Sequence, residues 1–250
     1  MSYDLTHILV GVTLLFASFV KGATGLGFPL IATPVVALLL DIRIAVTILI
    51  LPNLLMDMTQ ILRGGFPDTV LRRFKSMAGF TVIGVFLGTL ALVRTPLWIL
   101  TFCLGIMVLV FVGSTMLRFE FTISPAAEKI LSPIFGFIIG FLNGMTNAGG
   151  PTLAMYFYSL RLAKRDFIKS LATIFCITKV SQLVAVSTWN LFNWETITLS
   201  LQVLMLAFIG FLAGIKTQDH VNQKTFNRGL LVLMTIIGIV LITRSLAQAK

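Results

Sequence analysis

Lys21 and Lys179 fall inside or at the edge of long apolar runs, whereas the other basic residues lie in the segments between runs or near their ends. Asp57 is the one acid within such a run. A charge at membrane depth is costly, so by default it marks a functional site. Lys21 opens the stretch Lys21-Gly22-Ala23-Thr24-Gly25-Leu26-Gly27-Phe28-Pro29, and its lettering returns in Asn143-Gly144-Met145-Thr146-Asn147-Ala148-Gly149-Gly150-Pro151. Both read G-x-T-x-x-G-x-P. Glycine costs a helix about 1 kcal/mol and interior proline about 3, so each copy breaks a helix. A new helix starting at Pro29 or Pro151 turns N–H groups and the positive end of its dipole toward the break. With lysine, amide and hydroxyl donors nearby, this is chemistry for binding an anion rich in acceptor oxygens. The candidate binding residues are Lys21, Gly22, Thr24, Gly25, Gly27, Asn53, Asn143, Thr146, Asn147, Gly149, Gly150 and Lys179. Asp57, four residues after Asn53 and on the same helix face, is either a proton site or an ion-pair partner for a lysine.

Other chemistries find little to work with. No Gly-Lys-Ser/Thr follows the glycines, which excludes a phosphate-binding P-loop, and no strand precedes them, which excludes a dinucleotide site. No His, Cys or carboxylate cluster lies near the breaks, so neither an enzyme nor a metal or cofactor site is expected. His7 and His220 sit at a membrane edge and in a loop, and Cys103 and Cys176 read as small apolar packing residues. The composition, 57% hydrophobic, 11% charged and with mean hydropathy +1.00, describes a chain whose solvent is lipid. The net charge of +10 does not point to nucleic acid, because Lys and Arg fall in short loops where they set membrane topology.

The elements that must position these residues are apolar runs at 5–21, 29–40, 43–62, 76–93, 96–117, 129–145, 151–160, 167–188, 196–214 and 226–243. A crossing needs about 20 residues. Runs 29–40 and 151–160 are too short, so each is expected to pair with the run before it as a hairpin, 5–40 and 129–160, whose depth is left open. The start, MSYDLTH, lacks the basic region and cleavage site of a signal peptide and is expected to remain as part of the first helix. Arg63, Arg72, Arg73 and Lys75 share one loop, and Arg118 and Lys129 a second. Arg161, Lys164, Arg165 and Lys169 share a third, and Lys216, Lys224 and Arg228 a fourth. These thirteen of the 19 basic residues then gather on one side, the cytoplasmic one, and both termini lie outside. The outer side receives Arg43, Arg94, Arg244 and Lys250, with a loop from Trp189 to Glu195 that holds two tryptophans and no base.

On this reading residues 1–120 begin outside, residues 121–250 begin inside, and both run through the same order of elements. The expected fold is an all-α polytopic membrane protein of two inverted-topology repeats, each a glycine-broken helical hairpin followed by three spanning helices (43–62, 76–93 and 96–117; 167–188, 196–214 and 226–243). Lys21 aligns with Asn143 across the motif. After four extra residues in the second copy, Ala45-Val46-Thr47-Ile48 aligns with Leu171-Ala172-Thr173-Ile174, which sets Asn53 opposite Lys179. Each half thus has one lysine and one asparagine at the same two places, exchanged.

The segments KGATGLGFPLIATPVVALLLD with AVTILILPN, and NGMTNAGGPTLAMYFYSLRL with SLATIFCITK, resemble the TauE/SafE sulfite exporter family, also called the TSUP transporters. The resemblance extends over nearly the whole chain. The family's glycine triplet stands here as Gly25-Leu26-Gly27 and Gly149-Gly150. The resemblance implies a secondary transporter of sulfite or small organosulfonate anions across the cytoplasmic membrane, commonly in export. Its partners would be the small anion and the bilayer, with oligomerisation left open. The residues add that the anion would be held between the two broken-helix N-termini with Lys21 and Lys179, and that Asp57 offers proton coupling. An anion channel for a related small oxyanion or carboxylate is the alternative.

Overall fold

A computed structural model of the chain describes residues 3–65, 67–117, 122–217 and 223–249, with side chains at all of these except 3–5, 7, 64, 164, 223–228 and 230. Arg118, His220 and Lys250, and the side chains of His7, Lys164, Lys224 and Arg228, lie outside that set. The described residues form helices and turns: α1 (Tyr3–Thr24), α2 (Phe28–Leu39), α3 (Ile42–Ile48), α4 (Ile50–Gly64), α5 (Asp68–Arg73), α6 (Lys75–Arg94), α7 (Leu97–Leu117), α8 (Pro125–Thr146), α9 (Gly150–Ser159), α10 (Lys164–Thr188), α11 (Trp194–Thr217) and α12 (Gln223–Gln248). Seven segments among the described residues are long and apolar enough to cross a membrane: Ile42–Arg63, Lys75–Arg94, Leu97–Leu117, Pro125–Thr146, Arg165–Thr188, Trp194–Thr217 and Leu231–Gln248. The protein is therefore an all-helical, multi-pass membrane protein.

Each apolar run of the sequence is a helix, with three differences. The short α5 precedes α6. The arm before each glycine break is a full 22 residues, α1 and α8, or about 33 Å at the helical rise. The run at 43–62 is interrupted at Leu49, where α3 passes into α4. Pro52 explains the interruption, since it has no N–H to offer the Ile48 carbonyl one turn back. The Ser200 hydroxyl of α11 donates to that carbonyl instead, at 2.8 Å.

The chain forms two compact units, Met1–Pro52 with Thr95–Phe119 and Trp194–Lys250, and Asn53–Arg94 with Glu120–Asn193. In the first, α1 lies on α11 with their backbones in contact. A Cβ at Gly22 would stand 2.2 Å from the Phe211 oxygen, and one at Gly214 would stand 2.1 Å from the Phe19 oxygen. α7 pairs with α12, and α2 packs on α1, α3, α7 and α12. In the second unit, α8 lies on α6 in the same manner. Gly136, Gly140 and Gly144 abut the Met77, Thr81 and Val85 carbonyls, and Gly84 and Gly88 abut those of Phe137 and Phe141, all at 2.1–2.4 Å from the place of a Cβ. α10 packs on α5, α6, α8 and α9. In lipid, helices gain little from hydrophobic burial against one another, so close backbone approach over small residues supplies van der Waals contact instead. Leu201, Met205, Ile209, Val232 and Ile236 are left exposed on α11 and α12, as lipid contact allows.

Each unit draws on both halves of the sequence. α1, from the first half, is seated on α11 from the second, and α8, from the second, on α6 from the first.

Candidate anion-binding site

The second glycine motif becomes a tight turn between two helix ends. α8 stops at Thr146, and Asn147 adopts the left-handed conformation (φ 59°) with its N–H on the Asn143 carbonyl at 3.0 Å. Asparagine is among the few side chains that tolerate this region, so it serves where glycine usually would. Gly149 caps α9 and Pro151 lies in its first turn. The negative end of the α8 dipole and the positive end of the α9 dipole therefore meet within a few residues.

Lys179 of α10 is completely buried beside this turn. Its Nζ donates to Asn147 Oδ1 at 2.6 Å and to Gln182 Oε1 at 2.7 Å. Gln182 Nε2 in turn donates to the Asn143 carbonyl at 2.9 Å and to Asn147 Oδ1 at 3.1 Å. The amide orientations follow from chemistry, because an ammonium only donates and a carbonyl only accepts. Asn147, one of the candidate binding residues, thus turns its oxygen to the lysine. The Asn143 side chain is also completely buried, and neither its Nδ2 nor its Oδ1 makes a hydrogen bond among the described residues. It lies against Gly149, where a Cβ would come 2.3 Å from Nδ2. A buried amide left so costs about 1–3 kcal/mol, which a polar ligand at the start of α9 would offset. Thr146 gives its hydroxyl proton to the Leu142 carbonyl at 3.0 Å.

The first motif lies in the other unit. Gly25 (φ 84°) and Gly27 (φ 109°) are left-handed, and Gly27 caps α2 with Pro29 in its first turn. Gly25 and Asn147 hold the same place in the motif and share the left-handed turn, whereas Gly149 (φ −76°) does not copy Gly27. The Thr24 hydroxyl donates to the Val20 and Leu26 carbonyls at 2.9 and 2.8 Å, pinning the break. Gly22 is spent on the contact with α11. Lys21, in the last turn of α1, is 2% exposed, so it does not stretch along the surface toward water. Asn53 and Asp57, one turn apart on α4 in the second unit, are both buried.

The structure thus gathers Lys179, Asn143, Asn147 and Gly149 in one unit, and Lys21, Thr24, Gly25 and Gly27 in the other. Gln182 was missed by the sequence reading. Its signal was a second polar residue three positions after Lys179 on an apolar helix. Also unforeseen is the bidentate ion pair in which Arg73 Nε and Nη2 donate to Glu128 Oε1 and Oε2 at 2.7 and 2.8 Å, tying α5 to the first turn of α8. That hydrogen-bonded carboxylate raises the Arg73 guanidinium above its ordinary pKa. No group of three or more His, Cys, Asp or Glu suited to a metal occurs among the described residues.

A model of the sulfite exporter TauE/SafE family matches residues 10–241, a stretch that takes in both glycine breaks, α4 and α10. No curated protein and no solved structure gives a significant match.

Proposed function

The chain belongs to the sulfite exporter TauE/SafE family, and from that premise we propose that it is a secondary transporter exporting sulfite or a small organosulfonate anion across the cytoplasmic membrane. The observation that carries the reading is Lys179, completely buried and hydrogen-bonded at a glycine break beside the Asn143 amide, which makes no hydrogen bond among the described residues. Lys179 supplies charge, while the Asn143 amide and the N–H groups at Gly149 and Gly150 take acceptor oxygens, with Asn147 and Thr146 shaping the turn. In the first unit Lys21 supplies charge, Gly22 seats α1 on α11, and Thr24, Gly25 and Gly27 form the break. Asn53 is the neutral counterpart of Lys179, and Asp57 couples anion movement to protons. The inverted-repeat arrangement draws support from the reciprocal seating of α1 on α11 and α8 on α6, and from the shared left-handed turn at Gly25 and Asn147. The basic loops favour an orientation with both termini outside.

The test is flux in proteoliposomes across sulfite, sulfoacetate, taurine and sulfate. Saturation with trans-stimulated exchange is the result for a carrier; flux without either is the result for a channel. Lys179→Gln raises the sulfite concentration for half-maximal flux about ten- to a hundredfold, as loss of a charge-assisted contact of roughly 1.5–3 kcal/mol requires. Arg72→Gln, in a basic segment between spans, leaves it unchanged. Sulfite transport by Lys179→Gln with wild-type affinity would refute the anion site.

A further inference from the structure

We propose that Gln182 is a positioning residue that holds the Lys179 ammonium in place for the anion without adding negative charge; this rests on Lys179 being an anion ligand, as argued above. Gln182 is three residues after Lys179 on α10, so the two side chains share a helix face. It is completely buried, and a buried amide costs free energy unless its polar atoms are used. Oε1 accepts from Lys179, and Nε2 donates both to the Asn143 carbonyl in the last turn of α8 and to Asn147 Oδ1 in the turn itself. One side chain therefore ties α10 to both sides of the glycine break. The Asn147 oxygen that receives Lys179 at 2.6 Å is the same one that Gln182 grips, so the position of the ammonium is set from two directions.

Lysine carries its charge on a flexible stem, and a ligand must otherwise meet the entropic cost of ordering it. Gln182 meets that cost before the anion arrives. The residue type follows from the task. A glutamate of the same length would also accept from Lys179, but it would add a negative charge beside the proposed anion and lose the two donations from Nε2. An asparagine is one methylene shorter and could not span from Lys179 to the Asn143 carbonyl without moving α10.

The experiment is sulfite titration by calorimetry of purified, detergent-solubilised protein, with thermal unfolding of the same samples, for wild type, Gln182→Met, Gln182→Glu and Lys179→Gln. Gln182→Met, similar in volume but without the amide, weakens sulfite binding about three- to tenfold, the range of one or two lost hydrogen bonds. Gln182→Glu weakens it further, about tenfold or more, because like charge is placed beside the anion. This ranking is what a purely structural role would not produce. Wild-type affinity in both Gln182 variants, with Lys179→Gln weakened, overturns the role of Gln182 and leaves the anion site standing. A lowered unfolding midpoint in Gln182→Met with unchanged affinity overturns it equally. Wild-type affinity in Lys179→Gln overturns the anion-site reading itself, and the positioning role falls with it. Should one Gln182 variant fail to fold, the affinity of the other decides.

Discussion

Gly149 and Gly150 are adjacent in the same motif, yet alanine at the two positions has opposite consequences. At Gly149 a Cβ would stand 2.3 Å from Asn143 Nδ2 and 2.6 Å from the Ile139 carbonyl oxygen, both inside the 3.0 Å that a Cβ tolerates. The Asn143 amide has rotatable bonds, though it is completely buried and has little room to swing. The Ile139 oxygen is backbone in the middle of α8, so α8 and the start of α9 must separate. Overpacking of this kind costs about 1–3 kcal/mol. Alanine is also a poorer N-cap than glycine, adding about 1 kcal/mol. The sum of about 2–4 kcal/mol lowers the unfolding midpoint of a chain this size by roughly 5–15 °C. At Gly150 the nearest atom to a Cβ is Phe175 Cζ at 3.5 Å, an ordinary contact. There the gain in helix propensity, less than about 1 kcal/mol, leaves the midpoint unchanged or slightly raised. The assay is thermal unfolding of each variant in detergent, followed by size-exclusion recovery of the folded protein. Equal shifts for the two alanines, or no shift for Gly149→Ala, would show the reasoning from the α8–α9 contact to be wrong.

The helix-pairing glycines behave likewise: Gly88→Ala and Gly140→Ala, each with a carbonyl oxygen about 2 Å from the new Cβ, destabilise by roughly 1–3 kcal/mol in the same unfolding assay. Gly79→Ala, with nothing within 4 Å, stabilises by about 0.5–1 kcal/mol. Ser200→Ala leaves the Ile48 carbonyl without its hydroxyl donor and costs about 1–2 kcal/mol, whereas replacement by threonine, which restores the donor, costs less. For orientation, single cysteines at Asp68 and Lys164 resist an impermeant thiol reagent in intact cells while one at Asn193 reacts; the opposite labelling pattern rules out termini on the outer side.

The extent of each helix was legible in the sequence because hydropathy, glycine and proline act locally: every apolar run from 5–21 to 226–243 corresponds to a helix or to the α3–α4 pair. The glycine breaks at Gly25–Gly27 and Asn147–Gly149, and the burial of Lys21 and Lys179, were legible for the same reason, as departures from an otherwise apolar pattern. The partners were not. That Gly84 and Gly88 meet the backbone of α8, or that Gly22 meets that of α11, depends on residues far away in the chain, and a glycine's letter does not say which backbone approaches it. The direction of the Asn147 amide, the use of Gln182 and the donation from Ser200 to the carbonyl that Pro52 abandons belong to the tertiary structure as well. Hydrogen bonds act over about 3 Å and depend on angle, so they are decided only when distant segments are brought together, whereas helix formation and its interruption are decided within a turn or two of the chain.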